Sequence, residues 1–267
     1  MTSRSFPAAS TVCDLSKVTI GIKSFLRLNK LNKALLGIES NLPECKVIVA
    51  DDGYATFNAD LFELFEHPNI NLIQLNFDKG FGYKSNVIAQ AVQTPYLLIG
   101  SDDFDFSTML VRKGVKELVR FLDTFPGIHI ASGRVDGRPY EFLLDEQNGV
   151  ITERRLPDYN GDAAIVVDLT VNYSLIRREV FRRIQWDNDV KIGGGEHGAF
   201  FVDCKRLGFK TVYVPGVNIY TQRERDSEEY RQYRNRALSP ERPCFVKRGI
   251  RKYVLGDGTI DYESRDT

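Results

Sequence analysis

The stretch "LLIGSDDFDFS", Leu97–Ser107, decides how this chain is read. Its first half has the unbroken hydrophobicity of a strand covered on both faces, as strands in parallel sheets are. It then ends in three carboxylates within four positions, Asp102, Asp103 and Asp105. Like charges this close repel, and a carboxylate removed from water without a partner is costly. The tip of this strand therefore asks for a cation. In an open α/β sheet that tip is also where ligands bind, in the crevice beyond the carboxyl ends of the strands.

The same pattern recurs on either side. "CKVIVADDG" is an apolar run closed by Asp51 and Asp52, and "AIVVDLTVNY" carries Asp168 at a comparable place. "KVTIGIKSF" reads as a first strand and "INLIQLNF" as a third. Between them lie helical patterns, "NKLNKALLGIES" with Leu31, Leu35 and Ile38 at helical spacing, and "GYKSNVIAQAVQ"; Thr94-Pro95 marks the boundary before the acidic strand. A second half follows: "VRKGVKELVRFLDTF" as a helix, "HIASGRVDG" as a strand, and a polar segment from about Asp145 to Gly161. Then come "AIVVDLTVNYSLIRREVF" as a strand running into a helix, "GGGEHGAFFVDCKRLG", and the strand "TVYVPGVNIYT". Short apolar runs alternating with amphipathic segments predict an α/β fold with a mostly parallel central sheet and helices on both faces. The expected organisation is an N-terminal leader over 1–16, a main domain over 17–222, and a charged tail or subdomain over 223–267.

Composition limits the function classes. At 267 residues and 42% hydrophobic content the chain has material for one large core. Lys+Arg and Asp+Glu both count 36, so no global charge field argues for nucleic acid, an anionic membrane or an acidic substrate, and a nucleic-acid partner is not expected. Cys13, Cys45, Cys204 and Cys244 are far apart and form no ligand-spaced set, which points to reduced thiols. No stretch approaches the roughly 20 apolar residues of a membrane span, and "MTSRSFPAASTVCDLSK" lacks the apolar centre of a signal peptide. A soluble, cytoplasmic protein without an integral membrane segment is expected.

Carboxylates from several strand ends in one cleft suit a hard divalent cation. Mg2+ or Mn2+ needs few protein ligands when a diphosphate supplies the other oxygens. The cation expected at the acidic tip is thus a metal ion carried with a nucleotide.

The order of blocks "VTIGIKSFLR", "VIVADDG", "DKGFGYKSNVIAQA", "PYLLIGSDDFD" and "GGGEHGAFFVDCKRLGFKTVYVP" resembles the inverting GT-A glycosyltransferases of the family-2 type, and also the ganglioside N-acetylgalactosaminyltransferases. The resemblance covers roughly Lys17 to Thr221. It implies a GT-A nucleotide-diphospho-sugar transferase fold and transfer of a sugar, most simply from a UDP-sugar, to a hydroxyl on a glycan, a lipid-linked sugar or another acceptor. By this resemblance Asp51 and Asp52 hold the uracil and ribose of the donor, Lys84 and Asn86 of "KSN" lie at the nucleotide, and the acidic tip of the fourth strand holds the metal. Lys23, on the first strand, is counted with the donor-binding residues. A carboxylate in "GGGEH" serves as catalytic base.

The chain departs from that pattern in three places. The usual Asp-x-Asp begins with Ser101, so the metal role falls on Asp103, with Asp102 toward the ribose; "DFD" offers a second register that brings in Asp105. The acidic residue often found shortly after the Glu-His pair is Ala199, which leaves Glu196 as the candidate base. Where many relatives offer a late metal-binding histidine, this chain reads "VNIYT". His197 reads either as part of the site or as a structural histidine. Asp168 and Asn172 either bind sugar hydroxyls, as the resemblance implies, or cap the next helix. Three successive glycines cost backbone entropy, so Gly194 and Gly195 read as a backbone that approaches substrate closely. Phe200 and Phe201 are expected on a helix face packed on the core.

Two other classes share this layout. A sugar-nucleotidyltransferase would carry a glycine-rich loop after the first strand, whereas this loop is "KSFLRLNK". A catalytically silent carbohydrate-binding GT-A module would tolerate Ser101 and the missing histidine. The tail, with Arg223, Arg225, Arg231, Arg234 and Arg236 among acidic residues, is expected to be a solvated, self-paired helix. The competing reading folds it over the donor cleft.

Overall fold

The computed structural model describes residues 13–53, 69–138, 142–156, 163–188, 190–191, 196–235, 241–255 and 258–261. A turn of 3₁₀ helix, Leu15–Lys17, leads into β1 (Val18–Ser24), α1 (Leu28–Asn41), β2 (Lys46–Asp51) and β3 (Ile70–Gln74). Next come α2 (Phe81–Ala91), β4 (Tyr96–Ser101), the two-residue β5 (Phe104–Asp105), α3 (Met109–Thr124) and β6 (Ile130–Val135). The second half holds β7 (Phe142–Gln147), β8 (Val150–Arg155), β9 (Ile165–Val167), β10 (Ser174–Arg177), α4 (Glu196–Arg206) and β11 (Thr211–Thr221). Two short helices, α5 (Glu228–Arg234) and α6 (Glu241–Val246), and two strands, β12 (Lys252–Leu255) and β13 (Gly258–Asp261), close the described chain.

The main sheet runs β3-β2-β1-β4-β10-β6-β11-β5, with β9 paired on β11. The first four strands are parallel, β10 runs antiparallel between β4 and β6, and β6 and β11 are parallel again. Alternating side chains feed two cores. Leu98 of β4 and Val47 and Val49 of β2 face one side with Leu31 and Leu35 of α1 and Leu118 and Leu122 of α3. Leu97 and Ile99, with Ile48 and Ala50, face the other with Ile88 of α2 and Phe200 and Phe201 of α4. Burial on both faces is what the unbroken apolar runs demanded. The expected mostly parallel central sheet with helices on both faces is present, with β10 as an unforeseen antiparallel insertion, and Phe200 and Phe201 pack as expected.

The second half differs from the sequence reading in two places. The polar segment from Asp145 is a β-hairpin, β7 with β8, turned by Asn148 and Gly149, both at positive φ. An Asn-Gly pair between extended segments is a strong hairpin signal, masked here by the many charged side chains. The expected strand-into-helix from Ala164 is instead β9, an irregular link and β10, followed by a single 3₁₀ turn over Arg178–Arg182. Leu175 and Ile176 are fully committed to a strand wedged between two others, and that pairing overrides the helical pattern.

Residues after Gln222 are integrated rather than free. β12 pairs in parallel with β8, so a second sheet, β13-β12-β8-β7, joins the hairpin to the chain beyond residue 250. Among the described residues no helix is long and apolar enough to cross a membrane.

The start of α2 is held by close backbone contact. A Cβ at Gly82 would lie 1.7 Å from the Asp187 carbonyl oxygen. Gly82→Ala is therefore expected to cost about 2 kcal/mol or more through overpacking. Gly127→Ala, which meets nothing within 4 Å, should change stability by less than about 0.5 kcal/mol. Urea denaturation of both variants checks the contrast.

Candidate functional site

Parallel β1, β2 and β4 lie side by side, so their carboxyl ends bring Ser24, Asp51, Asp52, Asp102 and Asp103 to one edge of the sheet. Asp51, Asp52 and Asp102 are fully buried there. Burial of three carboxylates requires fixed donors, and the structure supplies two buried cations.

The first is Lys84, on the second turn of α2. Its ammonium donates to the Asp52 carboxylate and, at 2.9 Å, to the Ser24 carbonyl, and it sits 5.4 Å and 5.3 Å from the ring centres of Phe25 and Phe81. The other Asp52 oxygen accepts the Gly80 N–H at 2.7 Å. Gly80 has φ of +96°, a conformation open to glycine that turns its N–H toward the carboxylate. Lys23 is also buried and lies 5.2 Å from the Phe81 ring centre.

The second is Arg27, in the loop between β1 and α1. Its guanidinium grips Asp102 with two donors, Nε at 3.2 Å and Nη2, and donates through Nη1 to Asp103 at 2.9 Å. This fork matches carboxylate geometry in a way lysine cannot. The cation that the acidic strand end requires is therefore a side chain of the protein itself. Sequence reading missed Arg27 because its loop has no motif; the clue lay in topology, since a residue following β1 faces the tip of the adjacent parallel β4.

These environments set the charge states. Burial pushes the Asp51 carboxyl up to about 6, against hydrogen bonds from Ser24 and Gly53 and the nearby Lys84. One of its oxygens, Oδ2, is buried without a partner. Burial alone would raise Asp103, but the Arg27 charge, hydrogen bonds from Ser101 and Arg27, and the nearby Lys30 together outweigh it and hold this carboxyl below its ordinary value. For Asp102 burial acts upward and Arg27 opposes it. Burial works against the Arg27 charge, yet Asp102 and Asp103 raise its pKa above the usual arginine value.

The remaining candidates are placed differently. Asn86 ties α2 to the segment before α4: its amide nitrogen donates to the Trp186 carbonyl at 2.7 Å and to Asn188, and its oxygen accepts the Trp186 N–H at 2.8 Å. Trp186 in turn stacks on Phe200 of α4, ring centres 4.3 Å apart. Asp105 accepts from the Ser107 N–H and hydroxyl in a tight turn and lines a separate surface cavity of about 610 Å³ with Lys33, Tyr220 and Glu224. Asp168 caps no helix; its Oδ2 accepts the Leu144 N–H at 2.9 Å and the Lys205 ammonium at 2.7 Å, bracing β7 against α4. Asn172 lies in the link between β9 and β10. Glu196 and His197 open α4, while Gly194 and Gly195 lie outside the described residues.

Among the described residues no group of three or more His, Cys, Asp or Glu is arranged to hold a metal ion. Asp103 nonetheless fits one: it is a hard oxygen donor, its side chain 25% exposed beside fully buried Asp102. An ion there would take most of its shell from a diphosphate and water.

No family model matches the chain. Mouse β-1,4 N-acetylgalactosaminyltransferase 2 is 32% identical over 195 residues, 70% of this chain and 36% of the relative. Human β-1,4 N-acetylgalactosaminyltransferase 1 is 27% identical over 241 residues, 81% of this chain and 43% of the relative. The chain is homologous to the β-1,4 N-acetylgalactosaminyltransferases. It spans well under half the length of these curated relatives. Among solved structures, GalNAc-T7 with UDP, GalNAc and Mn2+ aligns with a TM-score of 0.64 at 12% identity, over 86% of this chain and 47% of that one. S. aureus TarS 1–349 with UDP-GlcNAc aligns at 0.60 and 14%, over 86% and 66%. The Pyrobaculum calidifontis mannosyltransferase with GDP-Man and Mn2+ aligns at 0.59 and 12%, over 91% and 72%. The fold is GT-A.

The Asp51 environment has a pH signature. Its folded-state pKa, about 6, lies above the ordinary carboxylate value of 3.8, so ionising it weakens the fold and stability is lost as pH rises between those values. Asp51→Asn should match the parent below pH 4 and exceed it in stability by roughly 3 kcal/mol above pH 7, the worth of a shift of about two units. Thermal melts across pH 3.5–8 measure that widening gap; parallel curves would contradict it.

Proposed function

We propose that this chain is a GT-A glycosyltransferase that moves a sugar from a UDP-sugar to an acceptor hydroxyl with inversion, aided by Mn2+ or Mg2+. The observation that carries the reading is the gathering of Asp51, Asp52 and Lys84 with Asp102 and Asp103 at the carboxyl ends of three neighbouring parallel strands. The names of the homologues favour an N-acetylhexosamine, with UDP-GalNAc the first donor to test. The acceptor class stays a hydroxyl on a glycan, a lipid-linked sugar or a similar molecule. Residues 17–222 are read as the GT-A unit to which 223–267 is attached. The cytoplasmic setting expected from the sequence stays part of this reading, with Cys13, Cys45, Cys204 and Cys244 as reduced thiols.

In this reading Asp51 offers its unpartnered oxygen to the base of the nucleotide, and Asp52, fixed by Lys84 and Gly80, lies toward the ribose. Lys23 lies with them on the donor side. Asp103 would hold the divalent ion, which when bound neutralises charge that builds on the departing diphosphate. Asp102 fixes Arg27 and, through it, the angle of Asp103. Glu196, at the first turn of α4, takes the proton of the acceptor hydroxyl; the N-terminal end of a helix favours its ionised form. His197 is the reserve candidate for that role. Asn86 acts by holding α2 to the Trp186 segment, and Asp168 by bracing α4 from below. A second reading, a silent carbohydrate-binding module, draws on Ser101 and on the engagement of both acidic residues by Arg27.

Two measurements separate these readings. Calorimetry with UDP should show affinity that falls on adding EDTA and falls similarly in Asp103→Asn; equal binding in all three cases would remove Asp103 from the metal role. Release of UDP from UDP-GalNAc in the presence of an acceptor should drop roughly 10²–10⁴-fold in Glu196→Gln, the usual worth of a general base, while UDP affinity holds. Binding without turnover in the parent under any acceptor leaves the silent module.

A further inference from the structure

Beyond β11 the chain does not leave the site. Gln222 donates its N–H to the Asp103 carbonyl at 2.6 Å, and its side-chain amide donates to the carbonyls of Lys30, Asp102 and Phe104 at 2.9, 3.2 and 3.1 Å. Four residues on, Asp226 accepts from Lys30 at 2.7 Å and approaches Arg27 Nη1 at 3.7 Å. The seven-residue α5 then buries Tyr230 to 1% exposure, its ring centre 4.3 Å from the Arg27 guanidinium carbon. Tyr233 closes an aromatic triangle with Phe25 and Phe77, ring centres 5.2–5.5 Å apart. Part of the arginine–acid pairing expected in this segment is present, as Arg231 with Glu228. Its buried face, however, is turned onto the loop after β1.

We infer that Tyr230 is a positioning residue for the donor site: its ring face clasps Arg27, whose edge holds the carboxylates of Asp102 and Asp103. A guanidinium has two usable surfaces, an edge of N–H donors and a flat face that stacks on rings. Here the edge is taken by two acids and the face by Tyr230, so the arginine has one orientation available. The hydroxyl contributes little, since its contact with Arg234 is long at 3.4 Å. The segment from Gln222 to Tyr233 is thereby part of the donor site rather than an appendage. The inference rests on the donor-site reading of Asp102 and Asp103, and the test below keeps the two apart.

The variants are Tyr230→Phe, which keeps the ring, and Tyr230→Leu, which keeps buried apolar volume without a π face. Both are measured at temperatures well below their melting transitions. With UDP and Mn2+, Tyr230→Leu should weaken binding by about tenfold, between the worth of an exposed and of a desolvated cation–π contact, while Tyr230→Phe stays within about twofold. With a working acceptor, the Leu variant should raise donor KM and leave kcat near the parent value. Without ligand, amide hydrogen exchange over 101–106 should quicken in the Leu variant alone. Equal UDP affinity and exchange in the two variants would overturn the inference. A parent that binds no UDP would sink the donor-site reading, and the exchange comparison would still decide whether Tyr230 positions Arg27.

Discussion

Carboxylates at the ends of buried parallel strands cannot be left uncompensated, because desolvation alone costs several kcal/mol per charge. Lys84 and Arg27 meet this requirement, one for Asp52 and the other for Asp102 and Asp103. Much of the local architecture follows. Lys84 reaches Asp52 only because α2 begins at a glycine turn pressed against the segment around Asp187. Arg27 reaches Asp102 only because the loop after β1 bends directly into α1, Arg27 itself standing at its N-terminal boundary. Each cation thus fixes the entry of a helix as well as a charge.

The β1–β2–β4 edge and the α4 side are mechanically joined. Asn86 binds the backbone of Trp186, the Trp186 ring stacks on Phe200, and Phe200 lies on the helix that Glu196 opens. Arg248 adds a second connection, pairing with Asp187 before α4 and with Asp203 within it. Such packed contacts, together with the bidentate Asn86 bond, leave little freedom for one side of the cleft to move independently of the other.

Much of this was readable in sequence. The two buried runs closed by Asp51-Asp52 and Asp102-Asp103 announced a parallel sheet and a charged edge, since few patterns other than a ligand-binding strand end place carboxylates there. Lys84 entered through the family resemblance; taken alone, a lysine on a helix reads more simply as a solvated side chain. Asp168 was not interpretable, because its role depends on Lys205, 37 residues away, and on a hairpin hidden by charged side chains. Arg27 and Tyr230 meet across roughly two hundred positions, and a contact between a loop and a distant seven-residue helix leaves no local period to detect. Asn86 entered only through the family resemblance, and its partners, Trp186 and Asn188, could be known only from the fold.

The stretch beyond Gln222 touches both sides of the cleft. Asp226 and Tyr230 meet the loop after β1, while Phe245 and Tyr253 flank Gly198 in the first turn of α4. During synthesis a chain emerges from its N-terminus at several residues per second. The strands that carry Asp51, Asp52, Asp102 and Asp103 are therefore complete well before Tyr230 and Tyr253 exist. For that interval the chain holds the residues of the acidic edge and of the hairpin β7–β8 without Tyr230 to cover Arg27 or β12 to pair with β8. The order in which the ribosome delivers the residues thus differs from the order in which the site needs them, and an interrupted chain would carry the acidic edge without the segment that covers Arg27.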